Sequence, residues 1–189
     1  RKISYLMHRV WTKVRIGFYQ ALSELSPSGK PIKLQPVLFM GRGKVLFGEN
    51  VRVGWKYSKL FFSNSYFEAR TDTAKIIIGD NVHFNNGCSI VCDTTAIEIG
   101  NDCLIGPNCE FMDSDFHALS VSERHSGKPC RKPIQVGNNV FLGANVVVLK
   151  GVIIGNNAVI GSNSVVVTNI PSNSLAAGNP ARVIRTLID

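Results

Sequence analysis

Residues 136–171 read VGNNVF LGANVV VLKGVI IGNNAV IGSNSV VVTNIP when they are divided into blocks of six. Every block opens with an aliphatic residue, four of the six blocks have Gly in second place, and the fifth place holds a small or β-branched residue. The opening residues are Val136, Leu142, Val148, Ile154, Ile160 and Val166. A short period that runs through six blocks without a slip is the signature of a repeat architecture.

This spacing predicts an all-β fold, a triangular prism built from short parallel strands. A period of six matches neither the helical turn nor the heptad, and Val, Ile and Asn are poor helix formers. We expect the first and fifth residues of each block to point into a narrow core. The Gly and Asn between them suit corners that need φ above zero. Three blocks would complete one turn, and successive turns would stack through main-chain hydrogen bonds.

The rest of the chain divides around this repeat. The six-residue pattern is weak at first, becomes clear from Ile78, and is interrupted by 117–133, a charged stretch with Gly and Pro. A long insertion at a corner of a repeat protein is typically a binding element. We therefore predict a helical and linker segment over 1–40, a β-helix over 41–178 with a projecting loop at 117–133, and a tail over 179–189.

Composition bounds the environment and the partners. The formal net charge of +8 favours anionic partners. No apolar run is long enough to span a bilayer and no secretion signal is recognisable, so we expect a cytoplasmic protein. The five cysteines lack metal-binding spacing, and we expect no metal. Cys88, Cys103 and Cys109 fall on inward positions, where we expect small core residues in a reducing compartment.

Residues 1–23 contain five basic residues and no acidic one. Their apolar residues recur at spacings of three and four, which predicts an amphipathic helix. These residues are Ile3, Leu6, Met7, Val10, Trp11, Val14 and Phe18. Two interpretations stay open: the helix lies on the inner face of an anionic membrane, or it packs against the prism or a neighbouring subunit.

The blocks, the insertion that begins with His117 and the closing AAGNPARVIR together resemble the hexapeptide-repeat acyltransferases. The resemblance is to the galactoside and maltose acetyltransferases and to the enzymes that acetylate bacterial surface polysaccharides, and it covers residues 76–187. It implies a left-handed parallel β-helix, a homotrimer, and acetyl-CoA as co-substrate, held between neighbouring chains. It also implies acetyl transfer to a sugar hydroxyl in the biosynthesis of a surface polysaccharide.

The resemblance implies that His117, in DSDFHAL, is the general base. Acetyl-CoA is an activated thioester, so the chemistry needs no enzyme nucleophile. It does need a base for the acceptor hydroxyl, and histidine is the side chain suited to this near neutral pH. A histidine base usually has an acceptor that fixes its tautomer. Asp113, Asp115 and a main-chain carbonyl are the candidates, and turn capping is the alternative role of both carboxylates.

By the same resemblance, Asn85 and Asp93 hold the acceptor sugar. Amide and carboxylate groups suit the hydroxyls of a sugar, and a carboxylate can accept two such bonds. Filling a corner is the alternative role of both residues, since Asn and Asp recur at corners along this chain.

The resemblance assigns the CoA site to the later blocks and the end of the chain. Main-chain groups at Ala144 and Ser162 would hold the pantetheine arm, and Arg182 and Arg185 would meet CoA phosphates. Phe141 stands where the family commonly has Trp. Two further positions depart from the family pattern: where the family has a Thr-Lys pair near the CoA site, this chain has Val167 and Thr168.

Other functions fit the residues less well. A γ-class carbonic anhydrase needs three zinc-binding histidines, and the four histidines of this chain lack the required spacing. Cys130 as an acyl nucleophile has no base beside it in sequence. Binding to nucleic acid would rest on charge alone, so we expect no such partner. N-acetylation of an amino sugar or nucleotide sugar, acetylation of an antibiotic, and a non-catalytic scaffold remain the alternatives.

Overall fold

The computed structural model describes residues 2–187, which form one helix followed by nineteen short strands. The helix, α1, spans Lys2–Leu22. The strands are β1 Ile32–Lys33, β2 Val37–Gly41, β3 Lys44–Phe47, β4 Arg52–Val53, β5 Ser65–Ala69, β6 Lys75–Ile78, β7 His83–Phe84, β8 Ser89–Cys92, β9 Ala96–Ile99, β10 Leu104–Ile105, β11 Glu110–Met112, β12 Ile134–Val136, β13 Phe141–Leu142, β14 Val147–Leu149, β15 Ile153–Ile154, β16 Val159–Ile160, β17 Val165–Val166, β18 Ser174–Gly178 and β19 Ala181–Thr186.

Three sheets form the faces of a triangular prism. The eight-stranded sheet has the order β1-β4-β7-β10-β13-β16-β18-β19, the six-stranded sheet β17-β14-β11-β8-β5-β2, and the five-stranded sheet β15-β12-β9-β6-β3. The chain visits the sheets in rotation, so each turn lays one parallel strand on each face. The coil is left-handed. The predicted fold class, a left-handed parallel β-helix with an N-terminal helix and a projecting loop, is confirmed.

A single hydrophobic core runs along the axis of the prism. The first and the fifth residue of all six blocks in 136–171 are buried, so both predicted inward positions are confirmed. The early turns are filled by aromatic rings, among them Phe67, whose centroid lies 5.8 Å from that of Phe39 and 5.4 Å from that of Phe84. Each such burial is worth about 1.5–3 kcal/mol in transfer free energy.

Asparagines at the corners adopt the left-handed backbone conformation that the sequence predicts. Asn139, Asn157 and Asn173 have φ of 53°, 59° and 55°. The Nδ2 of Asn139 donates to Oδ1 of Asn157 at 2.9 Å, and Nδ2 of Asn157 donates to Oδ1 of Asn173 at 2.7 Å. Asn tolerates this conformation better than other residues with a side chain. Its amide also links each turn to the next.

Both ends of the prism differ from the predicted boundaries. Strands β1 and β2 lie within the predicted linker 1–40, or overlap its end, yet they pair with β4 and β5. The six-residue template missed them because these first turns lack the Gly and Asn signals of the later blocks. The predicted tail, 179–189, forms β19, which turns back antiparallel on β18. The last two residues of that segment lie outside the described residues.

Helix α1 is docked on one side and exposed on the other. The guanidinium of Arg15 donates to the carbonyls of Phe61, Phe62 and Ser63, and the ring of His8 lies 4.3 Å from that of Phe61. The apolar side chains left exposed are Ile3, Leu6, Met7, Val10, Trp11, Val14, Phe18 and Leu22. The predicted helix is therefore present, with most of its apolar face uncovered. Among the described residues, no helix has the length and apolarity needed to cross a bilayer.

Candidate active site

The site residues predicted from the sequence lie at two different corners of the prism. The Asn85 corner comprises residues 85–88, 106–109, 143–146 and 161–164, and the His117 corner comprises residues 70–74, 93–95, 113–133 and 150–152. The first joins the eight-stranded to the six-stranded sheet, and the second joins the six-stranded to the five-stranded sheet. Strand β8 separates Asn85 from Asp93. Within one chain, the structure therefore groups Asp93, Asp113, Asp115 and His117, and leaves Asn85 apart.

Asp113 is a buried acceptor for the neighbouring turn. Its carboxylate accepts hydrogen bonds from the N–H of Asp93 at 2.6 Å, and from the N–H and Oγ1 of Thr95 at 3.1 and 2.8 Å. Two longer contacts, from Thr94 N–H and Cys92 Sγ, measure 3.4 Å each. The carboxylate thus caps residues 92–95, and no hydrogen bond joins it to His117 within the described chain.

Asp93 ties the returning end of the loop to the prism. Its side chain is buried, and Oδ2 accepts a hydrogen bond from Nε of Arg131 at 2.5 Å. Nη1 of Arg70 lies 3.9 Å from Oδ1. Arg70 also donates to Glu68, and this hydrogen bond raises the pKa of Arg70. The sequence analysis missed both arginines: Arg70 reaches Asp93 through the stacking of β5 on β8, and Arg131 reaches it only after the loop has folded back.

Asp115 pairs with a lysine that the sequence analysis also missed. Lys150 Nζ lies 2.6 Å from Oδ1 of Asp115, and both side chains are largely buried, at 22% and 19% exposed. Oδ2 of Asp115 is buried and has no hydrogen-bond partner among the described residues. A buried oxygen without a partner is unfavourable. The charge of Asp115 is thus balanced by Lys150 at Oδ1, and Oδ2 can accept a further hydrogen bond.

His117 follows a strained turn. Phe116 has φ of 57°, a rare conformation for a bulky residue, and the N–H of His117 donates to the carbonyl of Asp115 at 2.7 Å. The turn is held by the N–H of Phe116, which donates to Ser114 Oγ at 3.0 Å, and by the Arg70 guanidinium 4.8 Å from the Phe116 ring. His117 itself is exposed. Strain of this kind is typical of functional sites.

Asn85 lies in a groove on the eight-stranded sheet. The groove has a volume of about 250 Å³, and its lining includes Arg52, Trp55, His83, Leu104 and Phe141. Oδ1 of Asn85 accepts the N–H of Asn86 at 2.8 Å. This bond fixes the amide and leaves its Nδ2 group without a partner among the described residues.

The predicted CoA residues divide between this groove and the end of the coil. Phe141 is 47% exposed in the groove. The N–H of Ala144 donates to Ser162 Oγ at 3.1 Å, and its carbonyl accepts the N–H of Asn163 at 2.8 Å, so both main-chain groups of Ala144 are used within the chain. Ser162 is exposed in the last turn of the Asn85 corner.

Arg182 and Arg185 lie on β19, at the edge of the same eight-stranded sheet. Both are exposed, and Arg185 is opposite Leu175 of β18 in the antiparallel register. Neither forms a salt bridge within residues 2–187. Nη1 of Arg182 donates to the carbonyl of Ala181 at 2.9 Å. Two guanidinium groups without a salt bridge among these residues suit the phosphates of a ligand.

Comparisons with known proteins agree with this geometry. The model described as "Bacterial transferase hexapeptide (six repeats)" matches residues 133–168, and that described as "Hexapeptide repeat of succinyl-transferase" matches 96–112. A solved galactoside acetyltransferase in complex with coenzyme A is 30% identical with a TM-score of 0.65, over 97% of this chain and 82% of that one. This chain belongs to the hexapeptide-repeat acyltransferases.

Other relatives of this hexapeptide-repeat acyltransferase are matched over shorter segments. The galactoside O-acetyltransferase of Escherichia coli K12 is 39% identical over 142 residues, which are 75% of this chain and 64% of that protein. The polysialic acid O-acetyltransferase of Escherichia coli O1:K1 is 42% identical over 117 residues, 61% of this chain and 38% of that protein. The chain spans between 55% and 58% of the first curated relatives that it matches.

The buried thiols of this acyltransferase belong to its core. The predicted core positions of Cys88, Cys103 and Cys109 are confirmed, and Cys92 is buried as well. Burial raises the pKa of Cys109 to about 11 and that of Cys92 to about 12. These thiols stay protonated at neutral pH and are poor nucleophiles. Cys130 is exposed in the loop.

Asp113→Asn tests whether this carboxylate holds the His117 corner together. The amide keeps the shape but turns an N–H₂ group toward donors, so we expect the free energy of unfolding to fall by about 2–4 kcal/mol. Urea denaturation measures the change. Asp72→Asn is the matched control, since Asp72 lies in the same corner, is 75% exposed and has only Arg42 at 3.8 Å. Equal stability of the two variants would contradict the capping role of Asp113.

Proposed function

We propose that this acyltransferase moves the acetyl group of acetyl-CoA to a sugar hydroxyl in the biosynthesis of a surface polysaccharide. Relatives named for galactoside and polysialic acid O-acetylation support the acceptor class. Solved relatives with coenzyme A or acetyl-CoA support the donor. The observation that carries the proposal is the exposed imidazole of His117 on a turn fixed by Asp115 and Ser114.

In this proposal His117 is the general base. Its neutral imidazole takes the proton of the acceptor hydroxyl while the hydroxyl oxygen attacks the thioester carbonyl. The tetrahedral intermediate then breaks its C–S bond, and the imidazolium returns the proton to the departing CoA sulfur. The acetyl ester forms without an enzyme-bound acyl group. This agrees with a site where the core thiols are protonated and buried.

Asp115 is the orienting acceptor in this proposal, in preference to Asp113. The carboxylate of Asp113 already receives several hydrogen bonds from residues 92–95. Oδ2 of Asp115 is buried without a partner among the described residues, and Lys150 balances its charge. A carboxylate that accepts one ring N–H of His117 would hold the other nitrogen toward the acceptor and stabilise the imidazolium.

The donor site that we propose runs along the Asn85 corner to β19. Phe141 offers an exposed ring, and Arg182 and Arg185 offer CoA phosphates two guanidinium groups that have no salt bridge among the described residues. Ser162 is the stronger candidate for a main-chain contact with the pantetheine arm. Both main-chain groups of Ala144 are already bonded, although its carbonyl keeps a second lone pair.

A trimer would complete this site. Asn85 and the CoA residues lie at one corner and His117 lies at another, so a single prism separates acceptor, donor and base. Packing of three prisms around a three-fold axis sets the Asn85 corner of one chain against the His117 corner of the next, in a closed heterologous ring. Asp93 then contributes from the His117 side, where Arg131 already binds one of its oxygens.

The base assignment is tested with His117→Ala. We expect kcat to fall by about 10²–10⁴-fold, the usual contribution of a positioned general base, with little change in CoA affinity. Released thiol measures turnover on a panel of sugars and amino sugars, and calorimetry measures CoA binding. His125→Ala, an exposed histidine of the same loop, is the control and should retain activity. Near-normal turnover by His117→Ala would exclude it as the base. Transfer to amines alone would favour N-acetylation.

An active site built between neighbouring chains is tested by combining two variants that each lack one of its residues. When His117→Ala and Asn85→Ala are co-expressed, about a quarter of the interfaces in random trimers carry both wild-type residues. We therefore expect activity well above that of either parent, and light scattering should give the mass of a trimer. Activity no greater than the mean of the parents, together with a monomeric mass, would exclude a site built between chains.

We also propose that α1 touches an anionic membrane surface. Its uncovered apolar row includes Met7, Val10 and Trp11, and the helix contains no acidic residue. A basic amphipathic helix with exposed aromatic residues suits the interface of an anionic bilayer. Its other side is already occupied by residues 61–63.

Vesicle sedimentation tests this contact. We expect binding to vesicles that contain anionic lipid, weaker binding in high salt, and little binding to neutral vesicles. Val10→Glu should reduce binding because it places a charge in the apolar row. Val121→Glu, which makes the same substitution at an exposed position of the 117–133 loop, should reduce binding less. Equal partitioning into both kinds of vesicle would leave packing against protein as the role of this face.

A further inference from the structure

The groove beside Asn85 contains two basic side chains that have no acidic partner among residues 2–187. Arg52 on β4 is directly opposite His83 on β7 in the parallel register, and both side chains are exposed on the eight-stranded sheet. Within residues 2–187 neither side chain has a salt bridge, and none of the described residues that line the groove is acidic. The guanidinium of Arg52 is thus exposed beside an imidazole and without a counter-charge among the described residues, so it is better suited to a ligand than to the fold.

The remaining walls of the groove suit a sugar ring. Trp55 is 58% exposed, and its backbone is held by its N–H, which donates to Oδ1 of the buried Asn86 at 2.6 Å. Leu104 and Phe141 continue the same wall at 50% and 47% exposed. An apolar wall with a few convergent polar groups is the usual make-up of a small-ligand site.

We propose that the acceptor is an acidic sugar, whose carboxylate is bound by Arg52 and His83 while its ring lies against Trp55. This inference rests on the proposed function and names the acceptor class for it. The planar guanidinium of Arg52 matches both oxygens of a carboxylate. The free Nδ2 group of Asn85 donates to a neighbouring hydroxyl or ring oxygen. A neutral sugar would leave the two basic side chains without a partner.

The donors of this groove would also bind a phosphate, so the experiment separates three sources of negative charge. The probes are oligosaccharides of hexuronic or sialic acids and the methyl esters of the same oligosaccharides, which differ only in charge. Glucose 1-phosphate and CoA represent phosphate on a sugar and on the donor. Binding is followed by the fluorescence of Trp55 in full-length Trp11→Phe protein, since the chain has two tryptophans.

We expect at least one acid to bind about tenfold more tightly than its ester, as one charge-assisted pair would give, and Arg52→Gln to remove most of this difference. His83→Gln should reduce it in part. The control is Lys44→Gln with Lys75→Gln, which removes a basic pair that is likewise opposed in register but on the five-stranded sheet. The control should keep the preference for the acid.

Steady-state kinetics with an acidic acceptor that the enzyme acetylates give a second readout. Arg52→Gln should raise KM for the acceptor about tenfold and change KM for acetyl-CoA by less than roughly twofold. Equal binding of every acid and its ester, tighter binding of glucose 1-phosphate than of any acid, or a rise in KM confined to acetyl-CoA would each overturn the inference. Failure to acetylate any acceptor would contradict the proposed function. The fluorescence titration would still decide whether the groove prefers an acidic sugar.

Discussion

The fold depends on corners that turn with φ above zero and still connect one turn to the next. Asparagine meets both needs, because it tolerates the left-handed conformation and its amide bonds to the asparagine stacked above it. Asn145, for example, has φ of 58°, accepts from Asn108 at 3.2 Å and donates to Asn163 at 2.9 Å. Stacked corners keep successive strands in register, and the register keeps the inward residues over one another in a core too narrow for other arrangements.

That register explains how the chain carries a long insertion without losing the coil. Strand β11 before the loop pairs with β8 and β14, and β12 after it pairs with β9 and β15. The stacking is complete on both sides, and the base of the loop is closed by an antiparallel bridge between Ser114 and Arg131 as well as by side chains. Asp113 caps the turn below it and Asp93 binds Arg131 at its return. His117 therefore projects from a base that is held on both sides, which is the positioning that the proposed general base requires.

The charges of this molecule are arranged by corner. At the His117 corner, three carboxylates are paired with Arg70, Arg131, Lys150 or main-chain donors. On the eight-stranded sheet, Arg52 and His83 lie beside aromatic rings without an acidic partner among the described residues. The His117 corner, with its balanced charges, suits a group that transfers protons. The basic face of the eight-stranded sheet suits an anionic ligand. Two copies of the chain set against each other would bring the two environments together, whereas a single prism keeps them apart.

The sequence by itself determined the repeat, the inward positions, the left-handed corners, the helix and the loop. All of these follow from local conformation and, in the late blocks, from the interval of 18 residues between stacked corners, as between Asn138 and Asn156. Only the tertiary structure decided which groups meet across the insertion. Arg131 and Asp93 are 38 residues apart, an interval set by loop length and by no periodicity. The first strands and β19 were likewise missed, because they pair through packing at the ends of the coil, where the six-residue pattern is absent.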